Sequence, residues 1–117
     1  MLIVDDDTKV DLKSLKDKLE SSKLEFAGDN DLEKILHTYQ GNVSVFNMKY
    51  DVEDKVNLII DEELLERSLL AFHPLYNGRS LFLTPVNFLK YLLLIGRKPT
   101  FTTIPKQEET KAMVKVL

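Results

Sequence analysis

Hydrophobic and polar positions along the chain follow spacings that change several times, and each change predicts a new element. The apolar run Leu2 to Val4 is typical of a strand end, and the three aspartates after it favour a turn. Leu12, Leu15 and Leu19 recur at helical spacing, which predicts a short amphipathic helix from Asp11. The start of the chain therefore predicts a strand, a turn and a helix.

The middle of the chain predicts a strand, a helix and a hairpin. Leu24 to Ala27 is expected to form a brief strand, and Asp31 to open a second helix that stops near Gly41. From Val43 to Tyr50 and from Val56 to Ile60, β-branched and aromatic residues flank a turn-prone acidic segment. This arrangement is typical of a β-hairpin.

The second half continues the alternation. Asp61 to Arg67 predicts an acidic helical turn, and two strand-like segments follow at Leu69 to Phe72 and Leu81 to Thr84. Pro85 favours the first position of a helix that ends at Gly96. Because apolar residues are spread around this helix, we expect it to be buried on more than one side.

The end of the chain predicts one more strand and a tail. Pro99 to Ile104 is expected to form the closing strand, whereas residues 106–117 are polar and then weakly apolar, which predicts a frayed or disordered tail. No repeat or linker divides the series. We therefore expect a single domain over residues 1–105, of the α+β class, with a mixed β-sheet and helices packed around it.

Composition narrows the functional classes. The chain has 117 residues, no cysteine and two histidines, so disulfides and thiol nucleophiles are excluded and neither a metal site nor a cofactor is expected. A formal charge of -3 argues against broad affinity for nucleic acid, although a local basic face remains compatible with it. The amino-terminal residues do not resemble a signal peptide, and no apolar run approaches the ~18 residues of a membrane span. We expect a cytoplasmic protein with no membrane partner.

The loop after Phe72 contains the side chains that best suit ligand binding or catalysis. His73, Pro74 and Asn77 place an imidazole, a rigid turn and an amide on a short loop between two strands, where a sheet can hold them against a ligand. Structural interpretations compete with this one, because His73 would also fix a turn and Asn77 with Gly78 is a common tight-turn pair. The residues alone leave both open.

A series of short motifs carries a family resemblance. In chain order they are Lys9-Val10-Asp11-Leu12-Lys13, Leu24-Glu25-Phe26-Ala27, Gly41-Asn42-Val43-Ser44, Ile59-Ile60-Asp61-Glu62-Glu63-Leu64-Leu65, Phe72-His73-Pro74-Leu75-Tyr76-Asn77, Thr84-Pro85 and Phe88-Leu89-Lys90-Tyr91. Their order and spacing resemble the YbaK/ProX-type aminoacyl-tRNA editing domain, in particular the free-standing prolyl-tRNA editing proteins. The resemblance extends from about Lys9 to Ile104.

The resemblance implies a trans-acting hydrolase. Such a protein removes a wrongly charged amino acid, most often alanine, from tRNA for proline. The implied partners are the aminoacylated 3′ end of tRNA and prolyl-tRNA synthetase. Two alternatives stay open: a catalytically impaired relative that binds aminoacyl-tRNA or a synthetase, and a small protein-interaction domain unrelated to tRNA. We also expect a homodimer, formed through Leu2 to Val4 and the helix near Leu89 to Leu93 if these apolar surfaces are uncovered.

The resemblance also implies where the site lies. The family's glycine loop falls on residues 41–46, and the His-Pro and Asn of its second loop fall on residues 73–77. No covalent nucleophile is implied, since a positioned water or the terminal ribose hydroxyl would attack. Ser44 in particular is expected to be a strand hydroxyl. We predict His73 and Asn77 as catalytic residues, and as substrate-binding residues Gly41, Val43, Ser44, Phe46, Phe72 and Pro74.

Two departures from the family pattern lead to further expectations. Val45 and Asn47 stand where the family usually carries Pro and Gly, so the loop is expected to differ in shape. The family's essential Lys lies in a strand that precedes the one beginning here at Met1, so we expect the chain to lack the N-terminal part of the domain. Without that ammonium group, His73, Asn77 and backbone donors would stabilise an oxyanion only in part, and slow deacylation is expected.

Overall fold

The structure, a computed structural model, describes residues 1–20, 26–72 and 80–107, and its elements confirm the α+β class. The α-helices in these ranges are α1 (Leu12–Lys18), α2 (Asp29–Leu36) and α3 (Pro85–Leu94). Two 3₁₀ helices cover Val45–Tyr50 and Glu62–Glu66. The strands are β1 (Leu2–Ile3), β2 (Ile59–Asp61), β3 (Leu70–Phe72), β4 (Leu81–Leu83) and β5 (Thr100–Thr102).

Three of the strands form a parallel sheet in the order β1-β2-β5. Ile60 in the central strand pairs with Ile3 on one side and Phe101 on the other, and its side chain is fully buried. Parallel strands need long crossover connections, which here carry α1, α2 and the 45–50 helix on the way to β2, and β3, β4 and α3 on the way to β5. The sheet therefore joins both halves of the chain.

The other two strands lie where the sequence predicted strands, and they form an antiparallel pair. β3 and β4 align Leu70 with Leu83 and Phe72 with Leu81. α3 follows directly, because the Thr84 hydroxyl accepts a hydrogen bond from the Asn87 N–H at 3.2 Å and Pro85 occupies the first helical position. The predicted start of this helix is confirmed.

The predicted hairpin between Val43 and Ile60 is wrong. Val45–Tyr50 is a 3₁₀ helix, and β2 pairs with β1 and β5 instead. Local side-chain bonds explain the difference, since the Asp51 carboxylate accepts hydrogen bonds from the N–H groups of Lys55 at 2.9 Å and Val56 at 2.8 Å. Such bonds offer the backbone an alternative to a strand ladder.

Two boundaries near the second helix also differ from the prediction. Phe26 and Ala27 are not in a strand, while the preceding residues of that predicted strand lie outside the described ranges. α2 begins at Asp29 rather than Asp31, and both acidic side chains lie in its first turn, where they favour the positive end of the helix dipole. The helix ends at Leu36 rather than near Gly41.

The core lies between the parallel sheet and the helices. Its buried members are Leu32, Leu36, Val45, Met48, Leu58, Ile60, Leu64, Leu70, Phe88 and Leu92. α3 contributes Phe88 and Leu92, but Leu93 and Leu94 are 75% and 86% exposed. The expectation that α3 is buried on more than one side is wrong, because the described elements pack against one face of this helix.

The closing strand is confirmed as β5, and a short contact follows it. Lys106 forms an antiparallel bridge with Val10, and the Gln107 N–H donates to the Lys9 carbonyl at 2.9 Å. The remainder of the predicted tail, residues 108–117, lies outside the described ranges. No helix in the described part of the chain combines the length and apolar content that a membrane crossing requires.

Candidate functional site

A cavity of about 530 Å³ lies between β1 and β3, beside the start of the 45–50 helix. Its wall includes Leu2, Val43, Ser44, Arg67, Phe72 and Ser80. Phe72 and Ser80 flank the segment that carries His73, Pro74 and Asn77, which lies outside the described residues. Both flanks of that segment therefore line the same cavity as the end of the glycine loop.

The turn before the cavity depends on Gly41. Its φ of +84° lies in the left-handed region, which side chains rarely adopt, whereas a Cβ built there would meet no protein atom within 4 Å. Glycine is therefore favoured at position 41 by the left-handed backbone conformation and not by a lack of space for a side chain. The turn is closed by the Thr38 hydroxyl, which donates to the Asn42 carbonyl at 2.9 Å, and it directs the chain towards Val43.

Ser44 is a helix cap rather than a strand hydroxyl. Its side-chain oxygen accepts a hydrogen bond from the Phe46 N–H at 3.3 Å, and the Asn47 side-chain oxygen accepts one from the Ser44 N–H at 2.8 Å. This capping box fixes the wall of the cavity. Asn47 thus has a structural function at one departure from the family pattern, and Val45 occupies the first helical position, where Pro also fits.

An aromatic cluster lies behind the cavity wall. The Phe46 and Phe72 rings meet edge to face with centroids 5.9 Å apart, and the Phe72 ring lies 4.9 Å from that of Phe88. The Tyr91 ring contacts Phe46 edge-on at 5.0 Å. These contacts join Phe72, which lines the cavity, to the buried face of α3.

The Tyr91 hydroxyl is buried with no hydrogen-bond partner among the described residues, and burial raises the pKa of this phenol. We expect Tyr91→Phe to raise the free energy of unfolding by about 1 kcal/mol, because it removes an unsatisfied polar atom. Since the pKa is higher in the folded state, folding disfavours the phenolate, so wild type should lose stability relative to Tyr91→Phe as the pH rises above the ordinary pKa of about 10. Urea unfolding at neutral and alkaline pH would measure both effects, and a Tyr91→Phe protein less stable than wild type would contradict the prediction.

Arg67 is a residue of the cavity that sequence reasoning missed. It is the cationic side chain that lines this cavity in the described part of the chain, and it forms an ion pair with Asp5. Both side chains are partly exposed, at 53% for Arg67 and 38% for Asp5. The signal available in the sequence was a cation directly after an acidic helical turn. Asp5, one of the three aspartates in the turn predicted after Val4, lines the cavity as the partner of Arg67.

A second, more polar cavity of about 320 Å³ shares Asp5 and Arg67 with the first. Lys106 and Glu63 line it and form an ion pair at 3.0 Å, through which Glu63 raises the pKa of the Lys106 ammonium group. Within the described residues, no group of three or more histidines and acids is placed to hold a metal ion.

Of the six predicted substrate-binding residues, Pro74 lies outside the described ranges and the other five have different positions relative to the cavity. Val43, Ser44 and Phe72 line the cavity. Gly41 shapes the turn that leads to it, and Phe46 supports Phe72 from behind. The described structure thus brings part of the predicted site together.

Comparison with known proteins identifies the same family that the motifs resemble. The family model of the aminoacyl-tRNA editing domain matches residues 1–91. A protein of Acetoanaerobium sticklandii named prolyl-tRNA editing protein ProX is 38% identical over 84 residues, which cover 72% of this chain and 51% of that protein. The chain thus spans about half the length of this curated relative. The resemblance expected from the motifs is confirmed, and the chain belongs to the aminoacyl-tRNA editing domain family.

Proposed function

We propose that this domain removes alanine from mischarged tRNA for proline by hydrolysing the aminoacyl ester. The observation that carries the proposal is the cavity that joins Val43, Ser44 and Phe72 to the Arg67 guanidinium. Its volume falls in the range of small-molecule sites, and it combines an apolar wall with a few polar groups. Family membership and the name of the relative support the same substrate class.

The charged side chains of the cavity suit both the amino group of the amino acid and the phosphate or ester group of the nucleotide. The α-ammonium group of the amino acid favours a carboxylate, which Asp6 supplies at the cavity wall while Asp5 is paired with Arg67. Arg67 offers N–H donors to a phosphate or to the oxyanion that develops on the ester carbonyl. Water adds to the carbonyl carbon, the bond to the ribose oxygen breaks, and the ribose hydroxyl leaves with a proton.

His73 and Asn77 complete the proposal as catalytic residues, and Pro74 as a substrate-binding residue. An imidazole or an amide within hydrogen-bond reach of the attacking water would orient it and stabilise the transition state. The flanking positions of Phe72 and Ser80 at the cavity wall support this assignment. Prolyl-tRNA synthetase and a second copy of the chain belong to the same proposal as partners.

A binding protein without efficient catalysis is the second candidate. Arg67 is already paired with Asp5, so part of its charge is neutralised before a substrate arrives. An editing domain with a neutralised cation would hold an aminoacylated 3′ end but hydrolyse it slowly. We therefore expect the chain to bind alanylated tRNA and to release alanine slowly.

Release of labelled alanine from tRNA for proline tests the function. With the protein in excess, we expect release slightly faster than spontaneous hydrolysis, and we expect His73→Ala and Asn77→Ala to lower it. Binding of the same tRNA is measured in parallel, because a binding protein would retain affinity without release. Brisk release that both variants leave undiminished would contradict the placement of the site. Absence of both binding and release would contradict the function itself.

A further inference from the structure

Arg97 holds a buried position at the far end of the 45–50 helix. Its side chain is 9% exposed and that of Asp51 1% exposed, and the guanidinium Nη1 lies 3.3 Å from an Asp51 carboxylate oxygen. Arg97 also donates to the carbonyls of Met48, at 3.3 Å, and Asp51, and it pairs with Asp54 near the surface. The Arg97 side chain therefore binds both the Asp51 carboxylate and the backbone carbonyls at the end of the 45–50 helix.

The end of α3 determines where Arg97 lies. The Gly96 N–H donates to the Leu93 carbonyl at 3.0 Å, and the Arg97 N–H donates to the Leu92 carbonyl at 2.9 Å. This pair of bonds is a Schellman motif, which requires a left-handed residue, and Gly96 has a φ of +72°. The helix thus ends in a fixed geometry that directs Arg97 towards the 45–50 helix.

Asp51 connects Arg97 to the segment that precedes β2. It follows the last residue of the 45–50 helix, and its carboxylate also accepts hydrogen bonds from the N–H groups of Lys55 and Val56. Removal of Arg97 would leave a buried carboxylate with backbone donors alone, which is costly in a low-dielectric interior. The backbone from Met48 to Val56 therefore depends on this guanidinium.

The opposite end of the same helix forms the cavity wall. Its six residues are too few for a 3₁₀ helix to be stable alone, so its position is determined by tertiary anchors. The described anchors are the capping box at Ser44, the contact of Phe46 with Tyr91, and Arg97 at the last turn. We therefore expect loss of one anchor to shift Ser44 and Val43 at the other end.

We propose that Arg97 is a positioning residue for the cavity: by binding Asp51 and the last carbonyls of the 45–50 helix, it holds Val43 and Ser44 in the cavity wall. The proposal rests on the function proposed above. Arg97 lies beyond residues 1–91, the part of the chain that the family model matches. The domain thus uses the end of α3, outside that match, to fix the shape of its site.

Three variants separate positioning from general stability. Arg97→Met removes the charge and the fork of donors, Arg97→Lys keeps the charge but reaches fewer acceptors, and Lys98→Met removes the charge of the exposed neighbouring residue as a control. Each protein is examined by amide hydrogen exchange and by binding of alanine linked through an amide bond to the 3′ position of adenosine. The amide linkage prevents hydrolysis, so affinity is measured without turnover.

We expect Arg97→Met to speed exchange of the amides of residues 45–56 by roughly tenfold or more, while the amides of α1 stay protected. The dissociation constant of the analogue should rise by about tenfold, because small displacements of a binding wall are costly. Arg97→Lys should show smaller changes of both kinds, and Lys98→Met neither. A smaller folded fraction alone would lower the number of binding sites without changing the dissociation constant of those that remain.

Several outcomes would overturn the proposal. Faster exchange spread evenly over α1 and residues 45–56 would show that Arg97 only stabilises the whole domain. An unchanged dissociation constant in Arg97→Met, with wild-type binding intact, would show that the cavity does not depend on this residue. If Arg97→Met does not fold, the same comparisons are made with Arg97→Lys. If wild type binds no analogue, the proposed function fails, and the exchange pattern alone then decides whether Arg97 positions the helix.

Discussion

Replacement of Phe88 by alanine should lower the free energy of unfolding by about 3 to 5 kcal/mol, a large part of the roughly 5 to 15 kcal/mol typical of a domain. Phe88 is fully buried on α3, and its ring lies 4.9 Å from that of Phe72 at the cavity wall. The substitution removes apolar contact and leaves a cavity that the surrounding core fills only in part. Urea unfolding followed by circular dichroism would measure the change.

Phe82→Ala is the matched control for Phe88→Ala. Phe82 has the same side chain but lies on β4 and is 59% exposed. We expect this control to cost less than about 1 kcal/mol, because little buried area is lost. Equal losses for the two variants would contradict the assignment of Phe88 to the core.

Replacement of Arg67 by methionine should return alanine release to the spontaneous rate, because removing one donor to an oxyanion usually slows a reaction by on the order of a hundredfold. Arg67 is the side-chain cation at the cavity wall in the described residues. Methionine keeps most of the length and removes the charge and the donors. Single-turnover release of labelled alanine from tRNA for proline, corrected for spontaneous hydrolysis, would measure the loss.

Asp5→Asn distinguishes a direct contact of Arg67 with substrate from a structural ion pair. If Arg67 binds the substrate, removing the competing carboxylate frees the guanidinium, and release should be unchanged or faster. If the pair only holds β1 near the 62–66 helix, Asp5→Asn and Arg67→Met should slow release equally. That second result would remove Arg67 from the proposed site.

The sequence by itself determined the elements with strong local signals. The Pro85 start of α3, the strands on either side of the 73–79 segment and the acidic turn after β2 follow from residues close in the chain, and the structure has each of them. The motif order likewise identified the family, because each motif depends on residue type and spacing alone. These features need no knowledge of distant contacts.

Only the tertiary structure decided the path from Val43 to Ile60 and the charges of the cavity. β-branched and aromatic residues there favour strands and the Ser44–Asn47 capping box favours a helical turn, and the buried pair of Asp51 with Arg97 stabilises the 3₁₀ helix. Arg97 is 46 residues from Asp51 along the chain, and Arg67 is 62 residues from Asp5. Contacts over such separations have no local pattern, because they depend on how the parallel sheet and α3 bring distant segments together.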